Sequence, residues 1–489
     1  MIKPQFNVTN YTKLLKKLVS QSQVATRLSQ SEGVSEILSV SPQISLSSAE
    51  VSSGRVNYGG KLIFTILYCD EEGKLCRMQK GVEFTHYCDD DELAPAQTAV
   101  CALDCQRVST RRDGSAIVLT AVVSANITIF APAERTSVTS CEGAYLKSCV
   151  RQYVSFSTFS GECEVEDDFE ADGVDDILVP YAGVLVTSAS VSAGEVEVSG
   201  EIALSLLAMR GAFPAGLERI IPFRCVIPCE NAATGALPEV CAELRDMTVN
   251  ATVEEDRGKC RVEFSCTLAA RGYVATVSEE TVACDAFSTT HNLLLTKSSE
   301  SVSFPYERKV FSERTQSVAT SKAKLDFSCR LIAVTRPEAE YEYVPSSGSV
   351  EGGICAVLLY EQGGDIKSTE ITLPFAVRVG SGEGITASAG VCSIVVKQPS
   401  EGVLEGEALI KVAAVYPKVC SGECLVAVEE EDEKQDKNCA IRIIIPSAGD
   451  GLYEAAKALN FPPEEVASAN PGLKYPLSGD ERILIYKHN

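Results

Sequence analysis

Alternation of apolar and polar residues with a period of two runs through most of this chain. In the segment 194–208 the even-numbered positions are apolar or glycine, while the odd-numbered positions are mostly Glu and Ser. The segments 117–129, 260–268 and 404–412 have the same rhythm. Because side chains on a β-strand point to opposite faces in turn, this period predicts strands with one buried and one solvated face. Helical periodicity is scarce, so we expect a mainly β protein of antiparallel sheets.

The predicted strands recur as a set along the chain. The segment beginning at Ser35 aligns without a gap with the one beginning at Asp175, an offset of 140 residues, and a looser copy begins at Val344. A repeat this long is a whole domain rather than a solenoid unit of ~20–50 residues, so we expect three tandem antiparallel, sandwich-like β modules. Each copy has a glycine suited to a bulge or close backbone approach, followed by a phenylalanine suited to a core. These pairs are Gly60 and Phe84, Gly200 and Phe223, and Gly353 and Phe375.

Both ends of the chain depart from the β pattern. Near the N-terminus, Tyr11, Leu14, Leu15 and Leu18 have the spacing of a short amphipathic helix, which we expect to pack on the first module. Binding at a membrane surface is the alternative use of such a helix, since Lys residues are interspersed. After Val428, the run EEEDEKQDKN has no apolar residue and predicts a flexible linker.

The residues after this linker predict a small domain of a different kind. A strand at 441–445, a helix capped by Asp450, a second helix after Pro462 and a strand at 483–485 give the order β-α-α-β. The predicted layout is therefore a helical segment at 1–30, β modules at 31–160, 161–300 and 301–428, an acidic linker at 429–438, and a β-α-α-β domain at 439–489.

Composition places the chain among globular proteins and argues against some functions. Of its 489 residues, 45% are hydrophobic and 23% are charged, so we expect neither general disorder nor a single domain. The 67 Asp and Glu against 44 Lys and Arg give a formal net charge of −23, which disfavours nucleic acid as a partner. We also expect no transmembrane segment and no secretory signal, because the sequence has no apolar run suited to either.

The 20 cysteines are the unusual feature of the composition. The sequence has no C-x-x-C pair, and its three histidines, His86, His291 and His488, are far apart, so a zinc site is not expected. Residues such as Cys260 and Cys266 stand where Val or Ala would stand in a strand. We therefore interpret the cysteines as small, buried, reduced side chains.

Catalytic motifs are not apparent in the sequence. It contains no P-loop, no G-x-S-x-G elbow and no H-E-x-x-H motif. The carboxylates cluster in runs at 89–92, 164–176 and 429–433, which we interpret as solvated loops, and 164–176 lacks EF-hand spacing. We expect a non-enzymatic protein with no catalytic residue, no metal and no cofactor.

The C-terminal segment resembles a LysM domain. The resemblance is carried by the Gly449–Asp450 turn, the helix beginning at Leu452–Tyr453, Asn470–Pro471 and the strand Leu484–Ile485. It implies a binding site for N-acetylglucosamine glycans between the loops 447–452 and 470–477. The hydroxyl residue usual after Gly-Asp is replaced by glycine, and this favours a protein ligand instead. The implied binding residues are Gly449, Asp450, Gly451, Tyr453, Asn470, Pro471, Leu473 and Tyr475.

With a LysM domain after them, the β modules resemble the SPOCS-domain spore-coat family of endospore-forming Firmicutes. The segment GGKLIFTILYCDEEGKL from Gly59 carries the family's strand and acidic turn, and GGICAVLLYEQGGDIKS from Gly352 repeats it. The resemblance implies a morphogenetic protein of the mother-cell cytoplasm, located at the forespore surface and in the spore coat. It also implies docking onto the basement-layer morphogenetic ATPase or other spore-coat proteins.

Two functions remain open at this point. The first is a non-enzymatic scaffold whose LysM domain docks a coat or basement-layer protein. The second is a peptidoglycan-binding protein of the spore cortex or cell wall, which uses the LysM domain to bind glycan.

Overall fold

The computed structural model of the chain describes residues 2–28, 33–113, 116–211, 213–254, 259–323, 325–434 and 441–486. The fold is mainly β, as predicted, with several antiparallel sheets and two short helices. The first module consists of β1 (Lys3–Leu28), β2 (Val34–Ser52), β3 (Arg55–Asp70), β4 (Leu75–Asp89), β5 (Thr98–Asp113) and β6 (Ala116–Glu142).

The second and third modules repeat this order of six strands. The second has β7 (Tyr145–Asp172), β8 (Asp176–Ser192), β9 (Glu195–Arg210), β10 (Phe213–Pro228), β11 (Pro238–Glu254) and β12 (Lys259–Phe287). The third has β13 (His291–Ser321), β14 (Arg330–Val344), β15 (Ser349–Gln362), β16 (Asp365–Arg378), β17 (Thr386–Ser400) and β18 (Val403–Glu433). The C-terminal domain has β19 (Ile441–Ile444), α1 (Leu452–Leu459), α2 (Pro463–Ala469) and β20 (Ile483–Tyr486).

Each module encloses a core between two three-stranded sheets. In the first module the sheets have the orders β2-β3-β4 and β1-β6-β5, and the second module repeats them as β8-β9-β10 and β7-β12-β11. In the third module, a short pairing of β13 with β16 joins the two sheets into one of six strands. Each of the three large apolar cores draws its residues from one module alone. The strands, with their alternating apolar and polar residues, thus bury their apolar face within their own module, as the period of two predicts.

The N-terminal segment is a strand and not the predicted helix. β1 pairs with β6 along its length, and the register shifts between Leu14 and Lys16. This bulge at Leu15 places apolar residues next to each other and then restores the alternation, so Leu15 and Leu18 both pack on the first core. The bulge shifts the apolar positions by one residue, and this shift gives Tyr11, Leu14, Leu15 and Leu18 the spacing of a helix. Since β1, β7 and β13 open the modules, these begin at 3, 145 and 291 rather than at 31, 161 and 301.

The repeated glycines allow close cross-strand packing of the phenylalanines. Gly60 lies opposite Phe84, and a Cβ there would overlap the Ser45 carbonyl oxygen and the Phe84 ring. Gly200 and Phe223 have the same arrangement in the second module. In the third module the glycine opposite the phenylalanine is Gly352, one residue before the predicted Gly353.

Three two-stranded ribbons extend beyond the sandwiches and pack together as a stem. Past Phe130, Val274 and Val415, the strands β6, β12 and β18 no longer pair with β5, β11 and β17, but continue to pair with β1, β7 and β13. Where the ribbons begin, the ring of Phe130 of the first module lies 5.0 Å from the ring of Tyr273 of the second module, between ring centroids. These two residues share a buried cluster with Phe304 of the third. The modules are therefore joined side by side.

A second shared cluster joins the sandwiches themselves. It contains Leu38 and Leu67 of the first module, Leu178 and Leu207 of the second, and Leu359 of the third. The first two pairs are related by the repeat offset of 140 residues seen in the sequence. Equivalent residues of the first two modules thus meet in one place, together with a residue of the third.

The acidic stretch after Val428 begins inside the fold rather than as a flexible linker. Glu429 and Glu430 pair with β13, and the Lys434 backbone N–H donates to the Thr290 carbonyl at 2.8 Å. The remaining residues of the predicted linker, 435–438, lie outside the described residues. The carboxylates at 164–172 also lie on a strand, β7, where exposed positions alternate with less exposed ones. The prediction of loops is therefore wrong at 164–172 and at 429–433. Both segments pair with a neighbouring strand, and a charged composition does not reveal such pairing.

The predicted burial of the strand cysteines is confirmed for Cys260 and Cys266, which are 1% and 2% exposed. The described cysteines are free thiols. Within the described ranges, no group of three or more His, Cys, Asp or Glu side chains is placed to hold a metal ion. No helix in that part of the chain has the length and apolar character needed to cross a membrane.

Candidate binding surfaces of the C-terminal domain

The C-terminal domain packs α1 and α2 against one face of a two-stranded sheet. Its elements follow the predicted order β-α-α-β, while the assignment as a LysM domain stays a prediction. Gly451, and not the predicted Asp450, caps α1. Its N–H donates to the Glu454 carboxylate at 2.9 Å, which satisfies a free amide at the helix start. The domain core consists mainly of Ala455, Ala456, Leu459, Val466, Leu477, Ile483 and Ile485.

The two loops predicted to hold a ligand are in direct contact with each other. The Gly449 N–H donates to the Leu477 carbonyl at 2.8 Å, and the Leu477 N–H donates to the Asp450 carbonyl at 2.8 Å. The Asp450 carboxylate accepts a hydrogen bond from the Ser447 N–H at 2.8 Å. Gly449 has φ of +95°, a conformation that favours glycine. The polar groups of this turn therefore hold the loops together.

Asn470 and Leu473 also serve the fold of the domain. The Asn470 amide donates to the carbonyls of Val466 and Leu484, at 2.9 and 2.8 Å, and its carbonyl accepts from the Leu484 N–H. Leu473 packs against the domain core. Of the four predicted binding residues on the second loop, Pro471 and Tyr475 are exposed, and Tyr475 is 39% exposed.

Tyr453 faces the second β module rather than solvent. Its ring lies edge-on to the buried Phe287 at the end of β12, with 5.3 Å between the ring centroids. Burial of the hydroxyl, with the Asp285 carboxylate close by, raises the pKa of Tyr453 well above its ordinary value. The prediction that Tyr453 joins an exposed binding loop is therefore wrong. A contact with a residue so distant in sequence has no signal in the local pattern.

Polar contacts also hold the C-terminal domain on the second module. We call the whole attachment, which comprises the Tyr453–Phe287 contact and these polar contacts, the seat. Lys457 pairs with Asp285 at 2.6 Å, and Lys147 pairs with Glu454. The Asn460 amide donates to the Thr289 carbonyl at 3.0 Å and accepts from the Lys434 ammonium at 2.6 Å. A hydrogen bond to the Glu454 carboxylate raises the pKa of Lys147. The α1 side of the domain is thus held on the second ribbon.

The opposite face of the two-stranded sheet is apolar and exposed. Ile441, Ile443, Ile445 and Tyr486 are 52%, 60%, 70% and 57% exposed. Ile441 pairs with Tyr486, and Ile443 pairs with Leu484, so these side chains line one surface. We call it the isoleucine face. The sequence predicted the strand but not its exposed apolar face. The signal that could have identified this face is isoleucine at every second position of the strand, at 441, 443 and 445.

A cavity of about 690 Å³ lies where the three modules meet. Asp104 of the first module, Tyr181 of the second and Glu338 of the third line it. The surrounding protein desolvates Asp104 and Glu338 and raises the pKa of both carboxyl groups. The Asp104 side chain is nevertheless exposed, because it lines the cavity. Arg336 pairs with Glu338 at 3.1 Å and offsets part of its desolvation. The cavity places carboxyl groups from two modules near each other.

Comparison with known protein families places a match in the first module. The family described as SipL, SPOCS domain, matches residues 33–111. This segment covers β2 to β5 nearly in full, which are four of the six strands of the first module. No curated protein and no solved structure gives a significant match to the chain. The match to the first module supports the SPOCS family, and with it a sporulation-related protein.

Proposed function

We propose that this protein is a non-enzymatic scaffold of spore-coat assembly in the mother cell, located at the forespore surface. Its C-terminal domain docks the basement-layer morphogenetic ATPase or another coat protein. The observation that carries the proposal is the isoleucine face, which presents three large, exposed apolar side chains on two adjacent strands and a fourth, Ile445, directly after the first of them. Exposed apolar patches of this kind are typical of protein interaction sites.

Attachment of the C-terminal domain supports docking through this face. Tyr453 and Phe287 bury one side of the domain against the second ribbon, and ion pairs flank them. The isoleucine face lies on the sheet side and stays exposed. A domain held in one orientation presents its free face without the entropic cost of ordering a mobile module on binding.

Protein rather than glycan is the ligand we favour. A glycan site needs polar groups that remain free to satisfy sugar hydroxyls. In the predicted loops, the polar groups of Asp450 and Asn470 bond within the domain. Tyr453 belongs to the seat. The isoleucine face is apolar and exposed, which suits a protein partner with its own apolar side chains.

Binding of the full chain to the purified basement-layer ATPase tests this proposal. We expect Ile443→Asp to weaken binding by ~1–3 kcal/mol, the range of an interface hot spot, because it places a charge in the centre of the face. Val19→Asp is the matched control, since Val19 is a β-branched residue on an edge strand and is 68% exposed.

The outcome distinguishes the two functions. Equal loss in both variants, or none in Ile443→Asp, would remove the isoleucine face as the dock. Saturable binding of the full chain to purified sacculi, unchanged by Ile443→Asp, would instead favour the peptidoglycan-binding function.

A further inference from the structure

We propose that Cys149 and Cys284 form a modification site in the second ribbon, where a low-molecular-weight disulfide oxidises the two thiols to an intramolecular disulfide. Cys149 lies on β7 opposite Val282 of β12. Cys284 lies two residues further along β12, where the register shifts between Ala283 and Asp285. A residue in such a bulge is not paired in the ladder, so its side chain can turn towards the neighbouring strand.

Each of the two sulfurs reaches across to the opposite strand of the ribbon. The Cys149 sulfur lies 3.8 Å from the Val282 carbonyl oxygen, and the Cys284 sulfur lies 3.4 Å from the Lys147 carbonyl oxygen. Val282 is two residues from Cys284, and Lys147 is two residues from Cys149, so each sulfur lies beside the strand segment that carries the other cysteine. Both cysteines are partly exposed. A dissolved oxidant can therefore reach a pair of sulfurs that the strands already hold together.

Two other sites show what makes this pair different. Cys163 packs against the second core, which contains Cys225, but Cys225 is 1% exposed, and burial raises the pKa of Cys163 to about 12. Thiols so enclosed are poor nucleophiles. Cys141 lies at the corresponding end of the first ribbon and is partly exposed, but the residue opposite it is Pro4. A dissolved oxidant can therefore reach Cys141, but the residue paired with it is not a cysteine.

The reaction is thiol–disulfide exchange in two balanced steps. One cysteine loses its proton, and its sulfur attacks the small disulfide, forming a mixed disulfide and releasing one small thiolate. The second cysteine loses its proton and attacks the protein sulfur of that mixed disulfide, releasing the second small thiolate. In total, two protein thiols are oxidised to one disulfide, and the small disulfide is reduced to two thiols after taking up both protons.

The bond would stiffen the strand ends that carry the seat. Lys147 and Asp285 are close neighbours of the two cysteines in sequence, and they make the ion pairs with Glu454 and Lys457. A bond between residues 149 and 284 also closes a loop that contains most of the second module. Because such a cross-link restricts the unfolded chain, the second module should unfold at a higher temperature when oxidised.

The test uses the folded full chain, reduced, desalted and incubated with oxidised glutathione. After the reaction is stopped with acid and free thiols are alkylated, peptides are mapped without reduction. We expect a linked pair of peptides containing Cys149 and Cys284, with two alkylatable thiols lost and no glutathione retained on either. Cys141, in the same sample, should carry glutathione as a mixed disulfide.

Single substitutions provide the second arm of the experiment. In Cys284→Ser, Cys149 should retain glutathione, and the rise in unfolding temperature caused by oxidation should disappear. The proposal is wrong if Cys149 and Cys284 of the unsubstituted chain remain alkylatable while Cys141 is modified. It is equally wrong if Cys149 links to a different cysteine. Mapping of the unsubstituted chain decides the matter even where the variant folds poorly.

Discussion

At the scale of single residues, Gly60 shows how this fold depends on a missing side chain. The Phe84 ring covers Gly60 across the strand pair, and the Ser45 carbonyl approaches from the other neighbouring strand. The register of β2 and β3 shifts beside this point, between Leu46 and Ser48. A bulge and an aromatic ring over a glycine together fix the register of a twisted sheet.

Replacement of Gly60 by Ala should therefore destabilise the first module. The added methyl group overlaps backbone as well as side chain, so we expect the free energy of unfolding to fall by ~1–3 kcal/mol, as in other overpacked cores. Urea unfolding followed by far-ultraviolet circular dichroism measures the change. Gly81→Ala on β4 is the control, because a methyl group there meets no atom within 4 Å. Equal stability of the two variants would contradict this account of Gly60.

At the scale of secondary-structure elements, the sequence predicted the repeated strands well because their period of two survives in the core. It failed at β1, where a single bulge at Leu15 produced a helix-like spacing. Its choice of Gly353 instead of Gly352 was one residue off, since the glycines are adjacent and only the pairing with Phe375 separates them. Strand pairing between distant segments decides both cases, and it is invisible in a local pattern.

The candidate site was predicted only in part for the same reason. The elements of the C-terminal domain were found, but Tyr453 contacts Phe287, which lies far back in the chain. Asn470 has its bonds inside the domain. The isoleucine face could have been found from Ile441, Ile443 and Ile445, because a sheet of two strands with helices on one side leaves its other face uncovered.

The seat predicts a specific response to charge reversal. Lys457→Glu would place a carboxylate against Asp285, at a position where the native ion pair has a nitrogen–oxygen distance of 2.6 Å. We expect faster proteolytic release of the C-terminal domain, with a change of about 1 kcal/mol or less because the pair is partly exposed. The double variant Lys457→Glu with Asp285→Lys should restore the native rate. Identical rates in the native chain and both variants would show that this ion pair does not hold the seat.

At the scale of the whole molecule, the three modules form one body rather than separate units on a string. Arg135 of the first ribbon is 7% exposed and stacks over the rings of Tyr11 and Tyr153, at 4.5 and 3.4 Å from their centroids. It also lies within 3.8 Å of carboxylate oxygens of Glu280 and Glu300. These partners come from all three ribbons, so one guanidinium links the whole stem.

Loss of this cation should loosen the stem. Arg135→Met keeps much of the side-chain length but leaves Glu280 and Glu300 without their shared cation. Breaking a fully buried ion pair costs about 3 kcal/mol, and we expect less here because both carboxylates are partly exposed. We expect a lower thermal unfolding midpoint. Arg111→Met serves as the control, because Arg111 is an exposed residue on β5. An unchanged midpoint in Arg135→Met would contradict the role of Arg135 in joining the ribbons.

We propose above that the C-terminal domain, held in one orientation by the seat, docks a coat protein through its isoleucine face. Hydrogen exchange of the full chain, with and without the purified basement-layer ATPase, tests this most directly. The account predicts slower exchange on binding at residues 441–445 and 483–486, with exchange at 470–477 and in the β modules unchanged. Protection confined to residues 470–477 or to a β module, with none at 441–445, would contradict it.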